Sequence, residues 1–243
     1  MKKYYYDLHI HSCLSPCGDD DSTPNSIAGI GELNNLDIMA LTDHNTCKNC
    51  PAFFDACIRH GILPIAGMEL TTAEDIHAVC LFPSLERAME FDAFLQEKRI
   101  LIPNRTDIFG YQLICDSEDN VIGQEENLLS NATSVSIEEA PNLVNQFGGI
   151  CYPAHIDRDA NGIISVLGTF PESPKFTCCE FHSSDKIKEY TDSYGLLNKH
   201  LLVNSDAHYL WDIKERSDYL CLEEITDSEK AGERVIDFLR EGL

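Results

Sequence analysis

The sequence predicts a parallel, barrel-like α/β domain, and two observations carry that expectation. Short apolar runs rich in β-branched residues recur along the chain with Gly, Pro or Asn/Asp at their borders. Helical patterns lie between most of them, and this alternation belongs to parallel sheets covered by helices. A chain of 243 residues, 43% hydrophobic and 24% charged, can bury a sizeable core.

Strands are expected at 4–10, 37–41, 62–66, 77–82, 149–154, 176–181, 200–204 and 218–222. A helix is expected over 24–34, where Thr23 can cap and Pro24 takes the first helical position. The next covers 51–60 and stops at Gly61. Leu85, Ala88, Met89, Phe91 and Leu95 fall at helical spacing within 84–99. Ser136-Ile-Glu-Glu139 is a capping box for a helix stopped by Gly148-Gly149. Helices over 186–199 and 228–239 complete the set. Residues 100–135 break the alternation with a polar stretch and a hairpin, 110–115 and 121–123 around 116–120. Such an excursion is either a lid or a tolerated surface insertion.

Charge narrows the function. With 41 Asp+Glu against 18 Lys+Arg the formal net charge is −23. Binding by counterion release, and so long nucleic acid as a partner, is not expected. Bound divalent cations could still receive a phosphate. No apolar run is long enough to span a bilayer, so no membrane partner is expected. Met1-Lys2-Lys3 leads into no apolar export segment, which points to the cytoplasm. The 11 cysteines are then expected to be mostly reduced thiols. Cys13/Cys17 and Cys47/Cys50 are read as small residues near the site, with a structural zinc site or a redox pair as the alternatives.

The histidines carry the chemistry. His9-Ile-His11 closes the first strand, and residues two apart in an extended chain address one face. Asp43-His44 closes the second strand, Glu69 follows the third, His155 ends the 149–154 run, and Asp206-Ala-His208 follows 200–204. A single histidine at a strand end is usually a hydrogen-bonded core residue. Five strand ends carrying imidazole or carboxylate, gathered on one rim, make a cluster that divalent cations would stabilise.

Asp7-Leu-His-Ile-His-Ser12, Leu41-Thr-Asp-His44, Gly67-Met-Glu69, Pro153-Ala-His155 and Ser205-Asp-Ala-His208 resemble, in order, the motif set of the polymerase and histidinol phosphatase (PHP) family. The resemblance implies a single PHP-type domain over residues 1–243, with the hairpin or lid at about 100–135. It implies a distorted (β/α)7-type barrel whose metal centre lies at the C-terminal strand ends. The final run or an edge run would then lie outside the seven barrel strands. Two or three divalent ions, Zn, Mn or Fe, would be held by His9, His11, His44, Glu69, His77, His155, Asp206 and His208. The family's further loop ligand falls on Asp19, with Asp20 as rival because this loop is long. His77 opens its apolar run instead of closing it, so only the resemblance places it in the set.

Under that resemblance the expected reaction is hydrolysis of a small phosphoester, such as a nucleotide, a sugar phosphate or histidinol phosphate, by a metal-bridging hydroxide. Arg158 is expected to clamp phosphate, the alternative being a surface ion pair. Asp206 would accept a proton, and Asp43 would hold a ligand in place or act as a base. His182 would contact substrate or donate a proton, the alternative being a supporting hydrogen bond. His60 and His200 are read as structural. A non-catalytic metal-binding domain, an exonuclease-type phosphodiesterase and a hydrolase of C–N or C–O bonds are the competing readings.

Overall fold

The computed structural model describes residues Met1–Glu241. The first half of the chain forms β1 (Lys2–Ile10), α1 (Pro24–Leu33), β2 (Ile38–Leu41), α2 (Cys50–Arg59), β3 (Leu63–Thr71), β4 (His77–Phe82) and α3 (Leu85–Gln96). A short α4 (Thr106–Phe109) and the strands β5 (Leu113–Cys115) and β6 (Val121–Gln124) follow. The second half adds α5 (Ala140–Gln146), β7 (Ile150–Pro153), α6 (Ile163–Leu167), β8 (Cys178–Phe181), α7 (Ile187–Tyr194), β9 (His200–Val203), β10 (Tyr219–Leu222) and α8 (Ala231–Arg240).

Six strands form one curled sheet in the order β10-β1-β2-β3-β4-β7, and β8 pairs with β9. The gap is bridged at one end. Ile156 N donates to Glu180 O (2.8 Å), and His11 N donates to Ala207 O (2.9 Å). Strands β1 to β4 and β7 to β9 therefore line a distorted barrel, while β10 flanks β1 from outside.

The sheet is mixed, which corrects the all-parallel expectation. β1, β2 and β3 pair in parallel, but β4 runs antiparallel to both β3 and β7, and β10 antiparallel to β1. The physical reason is the link 72–76, which is far too short for the crossover a parallel pair needs. Reversal puts the start of β4 level with the end of β3, with His77 opposite Thr71.

Both sheet faces are buried, which explains the near-continuous apolar runs. One core layer joins Tyr4, Tyr6, Leu8, Ile38, Ile65, Val79 and Tyr152 to Val235, Ile236 and Leu239 of α8. The other packs Met39, Leu41, Met68 and Phe82 against helix residues such as Ile27, Phe53 and Phe91. Gly67 allows β3 and β4 to approach, since a Cβ there would lie 2.6 Å from the Cys80 carbonyl oxygen.

Helix ends differ from expectation where capping competes with pattern. The 186–199 helix stops at Tyr194, because Gly195 takes a left-handed conformation (φ 69°) and its N–H bonds back to Thr191 O. The Ser136/Glu139 box forms, with Glu139 N donating to Ser136 Oγ (3.2 Å), but the helix proper starts at Ala140. The 100–135 hairpin is tied down at its inner strand. Leu113 N donates to Cys13 O (2.9 Å), and Asn49 bridges Leu113 O and Cys115 N. Among the described residues, no helix is long and apolar enough to cross a membrane.

Candidate metal centre

Each parallel strand delivers its polar residues where backbone hydrogen bonding ends. His9 and His11 come from the end of β1, His44 follows β2, and Glu69 sits within β3 where its N–H reaches back to Thr42 O. His155 follows β7, while Asp206 and His208 follow β9. His155 (φ 25°) and Asp206 (φ 51°) have positive φ, which non-glycine residues adopt at a cost of about 1–3 kcal/mol. Local bonds hold both turns: His155 N donates to Glu180 Oε1 (3.1 Å), and Ala207 N donates to Ser205 Oγ (3.1 Å).

Glu69 is the hub. His77 Nδ1 (2.9 Å), His155 Nε2 (3.0 Å) and His9 Nε2 (3.4 Å) surround its Oε1. His44 Nδ1 (3.0 Å) and His11 Nε2 (3.3 Å) face its Oε2. Asp206 Oδ1 lies 3.4 Å from His9 Nε2 and 3.2 Å from His11 Nε2. The two Nε2 atoms of His9 and His11 are themselves 3.1 Å apart. The His208 ring stacks on His11, with centroids 4.2 Å apart.

These donors fit a divalent cation. Three overlapping groups are close enough to hold one: His9, His11, Glu69 and Asp206; His11, His44 and His208; and His44, Glu69 and His77. Around an ion bound at about 2.0–2.1 Å, neighbouring tetrahedral ligands lie roughly 3.3 Å apart. Five separations of 3.1–3.4 Å in the first group, with Glu69 facing His9 through Oε1 and His11 through Oε2, are of that length. Three buried atoms of this cluster also lack any hydrogen-bond partner: His44 Nδ1, His155 Nδ1 and Asp206 Oδ1. Orphaned buried polar atoms are costly, and a cation removes that cost for those aimed at it.

The electrostatics say the same. Burial alone would lower the His9 imidazole, but Glu180, Glu69 and Asp206 overcome it and raise it well above its usual value. His11 is likewise raised to about 9 by Asp206 and Glu69 against burial, and His44 to about 9 by Cys17 and Glu69. Burial opposes ionisation of Glu69 and Asp206, yet the surrounding imidazoles hold both below the ordinary carboxylate range. His208 is pushed down to about 3 by burial and by His11, which leaves it neutral with a free lone pair. Burial lowers His77 as well, so protons on His9, His11, His44 and His155 balance the carboxylates, a task that cations can take over.

Around this cluster stand groups that aim it. His9 Nδ1 bonds Glu180 Oε1 (2.8 Å), and Glu180 Oε2 accepts from Asn204 Nδ2 (2.7 Å). His11 Nδ1 lies 2.9 Å from Ser15 Oγ, which donates to Asp43 Oδ1 (2.7 Å). Asp43 also accepts from Ser12 N and Ser12 Oγ, both at 2.7 Å, so its oxygens are engaged away from the three ligand groups. Glu180 and Ser15 were not singled out from sequence. A carboxylate inside the buried run Cys178–Phe181 was the available signal for Glu180.

The loop after β1 presents a different side chain from the one expected. Asp19 is only partly buried, its Oδ1 accepts from Asp21 N (2.9 Å), and it belongs to none of the three groups; Asp20 is exposed. Instead Cys17 Sγ lies 3.3 Å from His44 Nε2. Cys13 pairs with Cys115 (Sγ–Sγ 3.6 Å), linking this loop to the hairpin. All 11 cysteines are free thiols.

A cavity of about 190 Å³ opens over the cluster, lined by Cys17, His44, Glu69, His77, His155, Arg158, Asp206 and His208 among others. Arg158 bonds Asp206 Oδ2 through Nη1 and lies 3.0 Å from exposed His182 Nδ1 through Nη2. Asp157 anchors the His182 backbone (2.8 Å). His60 lies apart, paired with Glu32, and His200 packs against Phe238 with the ring planes tilted by 42°.

A family profile described as PHP domain matches residues 7–146. Among solved structures, a lesion-specific endonuclease from Pyrococcus furiosus aligns with TM-score 0.64 and 18% identity, over 99% of this chain and 56% of its own. Endonuclease Q in complex with a 27-mer duplex carrying an abasic lesion aligns with TM-score 0.61 and 16% identity, over 99% and 57%. The chain thus spans little more than half the length of these two proteins. A Bifidobacterium adolescentis protein described as a metal-dependent phosphoesterase aligns with TM-score 0.51 and 16% identity, over 95% of both chains. No curated protein matches.

One expectation is corrected by these comparisons. Long nucleic acid was set aside as a partner on net charge, yet a protein of this fold is seen on a DNA duplex. A summed charge of −23 says little about the potential at one cleft, where bound cations and a few side chains dominate.

Proposed function

This chain belongs to the PHP domain family, whose profile covers more than half of it, and from that premise we propose that it is a metal-dependent phosphoester hydrolase. The observation that carries the reading is Glu69, a buried carboxylate ringed by five imidazoles beneath an open cavity. Its ligands would be His9, His11, Glu69, Asp206, His44, His77 and His208, for two or three ions drawn from Zn, Mn and Fe. His155, whose Nε2 points at Glu69, completes the set. Divalent ions bound there would lower the pKa of a water and offset phosphoryl charge.

The protein's own groups supply the rest. Arg158 keeps donors free beyond its bonds to Asp206 and His182, and its planar fork suits phosphoryl oxygens. His182, exposed at the lip, is placed to give a proton to a leaving oxygen from a ring nitrogen. Asp206 can accept one at Oδ1, which has no hydrogen-bond donor. Asp43 acts through Ser15 to hold the His11 ring. The cavity of about 190 Å³ is smaller than most whole-ligand pockets, so a phosphoryl group enters and the remainder of the substrate lies outside. That suits a small phosphomonoester. Cleavage within a strand is a second reading, supported by the endonucleases of the same fold.

Elemental analysis of gently purified protein, beside a phosphate-release and strand-cleavage screen, tests both. Two or three metals per chain with release from one monoester class is the expected result. Cleavage of oligonucleotides without phosphate release selects the second reading. Metals without turnover on either panel would overturn both.

A further inference from the structure

The segment that carries Asp206 and His208 continues into an aromatic pair that nothing so far explains. Tyr209 and Trp211 stack nearly parallel, with centroids 4.8 Å apart and planes 17° from each other. Tyr209 is 40% exposed and Trp211 76% exposed. Trp211 is the only tryptophan in the chain, and it stands in solvent instead of the core. The pair is not loose. Asp19 N bonds the His208 carbonyl (3.0 Å), and Asp212 N bonds the Tyr209 carbonyl (3.0 Å) in a short 3-10 turn. His208 lines the cavity, and Trp211 is three residues on, so at most about 10 Å of chain separates them.

We infer that the Tyr209–Trp211 stack is a platform for the nucleobase of a substrate whose phosphate enters the metal cavity. This deepens the hydrolase reading and rests on it. Two rings already held near-parallel present a flat outer face on which a further ring can continue the stack. Charge points the same way. Arg216 and Lys214, the cations just beyond the stack, are engaged over Tyr5 (3.9 Å) and Tyr6 (4.3 Å), so they are not free to track a phosphate chain. With these two cations engaged, recognition at the stack itself comes from an interaction that does not depend on charge, and base stacking is one.

Because Trp211 is the sole tryptophan, indole emission from the metal-loaded protein reports the stack directly. Adenosine monophosphate is compared with ribose 5-phosphate, and a short single-stranded oligonucleotide with the same strand made abasic. Saturable quenching by the base-bearing member of either pair, weakened about tenfold in Tyr209→Ala, is expected. Quenching by the mononucleotide identifies a free nucleotide as source, and quenching by the oligonucleotide alone identifies a strand. Trp211→Leu should reduce the KM preference for base-bearing over base-free phosphoester by about tenfold. Equal response to both members of each pair, no response, or emission that tracks protein concentration through self-association would each overturn the proposal. Quenching needs no turnover, so a failed hydrolase assignment remains separable from a failed platform.

Discussion

His9 Nδ1 meets Glu180 Oε1 at 2.8 Å, and that contact decides which nitrogen of His9 faces the cluster. With Nδ1 committed to the carboxylate, Nε2 is the nitrogen left to meet His11, Glu69 and Asp206. Glu180→Gln should therefore weaken metal binding by about 10–100-fold while the barrel stays folded. Metal titration of the stripped variant beside its circular dichroism checks both parts. Unchanged affinity would falsify the role given to Glu180.

Ser15 relays Asp43 to His11, so Ser15→Ala should lower metal affinity in the same direction. Asp43→Asn should behave alike, since the carboxylate accepts three hydrogen bonds from Ser12 and Ser15. A variant that kept full metal content but lost turnover would assign Asp43 to proton transfer instead.

Arg158→Ala should leave metal content intact and reduce kcat/KM on phosphoesters by about 100-fold. Arg158→Lys should restore little, because a lysine ammonium cannot make a bidentate phosphate contact. Undiminished turnover in the alanine variant would sink the phosphate-clamp assignment.

Cys17 is exposed, whereas burial raises the thiols of Cys13, Cys47, Cys57, Cys80 and Cys178 and shields them. Iodoacetamide on the native protein should thus mark Cys17 first, with half-buried Cys221 behind it. The adduct, seated against His44, should impede metal uptake. Peptide mass mapping reads the order, and early labelling of Cys13 would contradict it.

Gly67→Ala should destabilise the fold by about 1–3 kcal/mol, since its Cβ would meet the Cys80 carbonyl and the Leu81 side chain. Chemical denaturation of the metal-free protein isolates this packing effect from any change at Glu69.

Much of the site was legible because a strand end is visible in sequence and a histidine there is conspicuous. His9, His11, His44, Glu69, His155, Asp206 and His208 do converge. Strand direction was harder, because an apolar run reads the same both ways. His77 opens its run, yet it meets Glu69 because β4 is reversed, and only the short 72–76 link hinted at that. The loop after β1 was illegible for another reason. Spacing back from Thr23-Pro24 counts residues and not the path of the chain, so it selected Asp19 where the fold presents Cys17. Glu180 went unassigned because its role is to orient a ring, which no residue spacing records.

The three candidate groups share corners: Glu69, His11 and His44 each belong to two of them. An ion entering one group consequently draws donors from its neighbours and also removes the protons that repel the next ion. Occupancy in such an arrangement is coupled. Filling one group leaves its neighbours short of the shared donor, so reloading should pass through partly filled species, and any substitution at Glu69 should be felt in both groups that it joins.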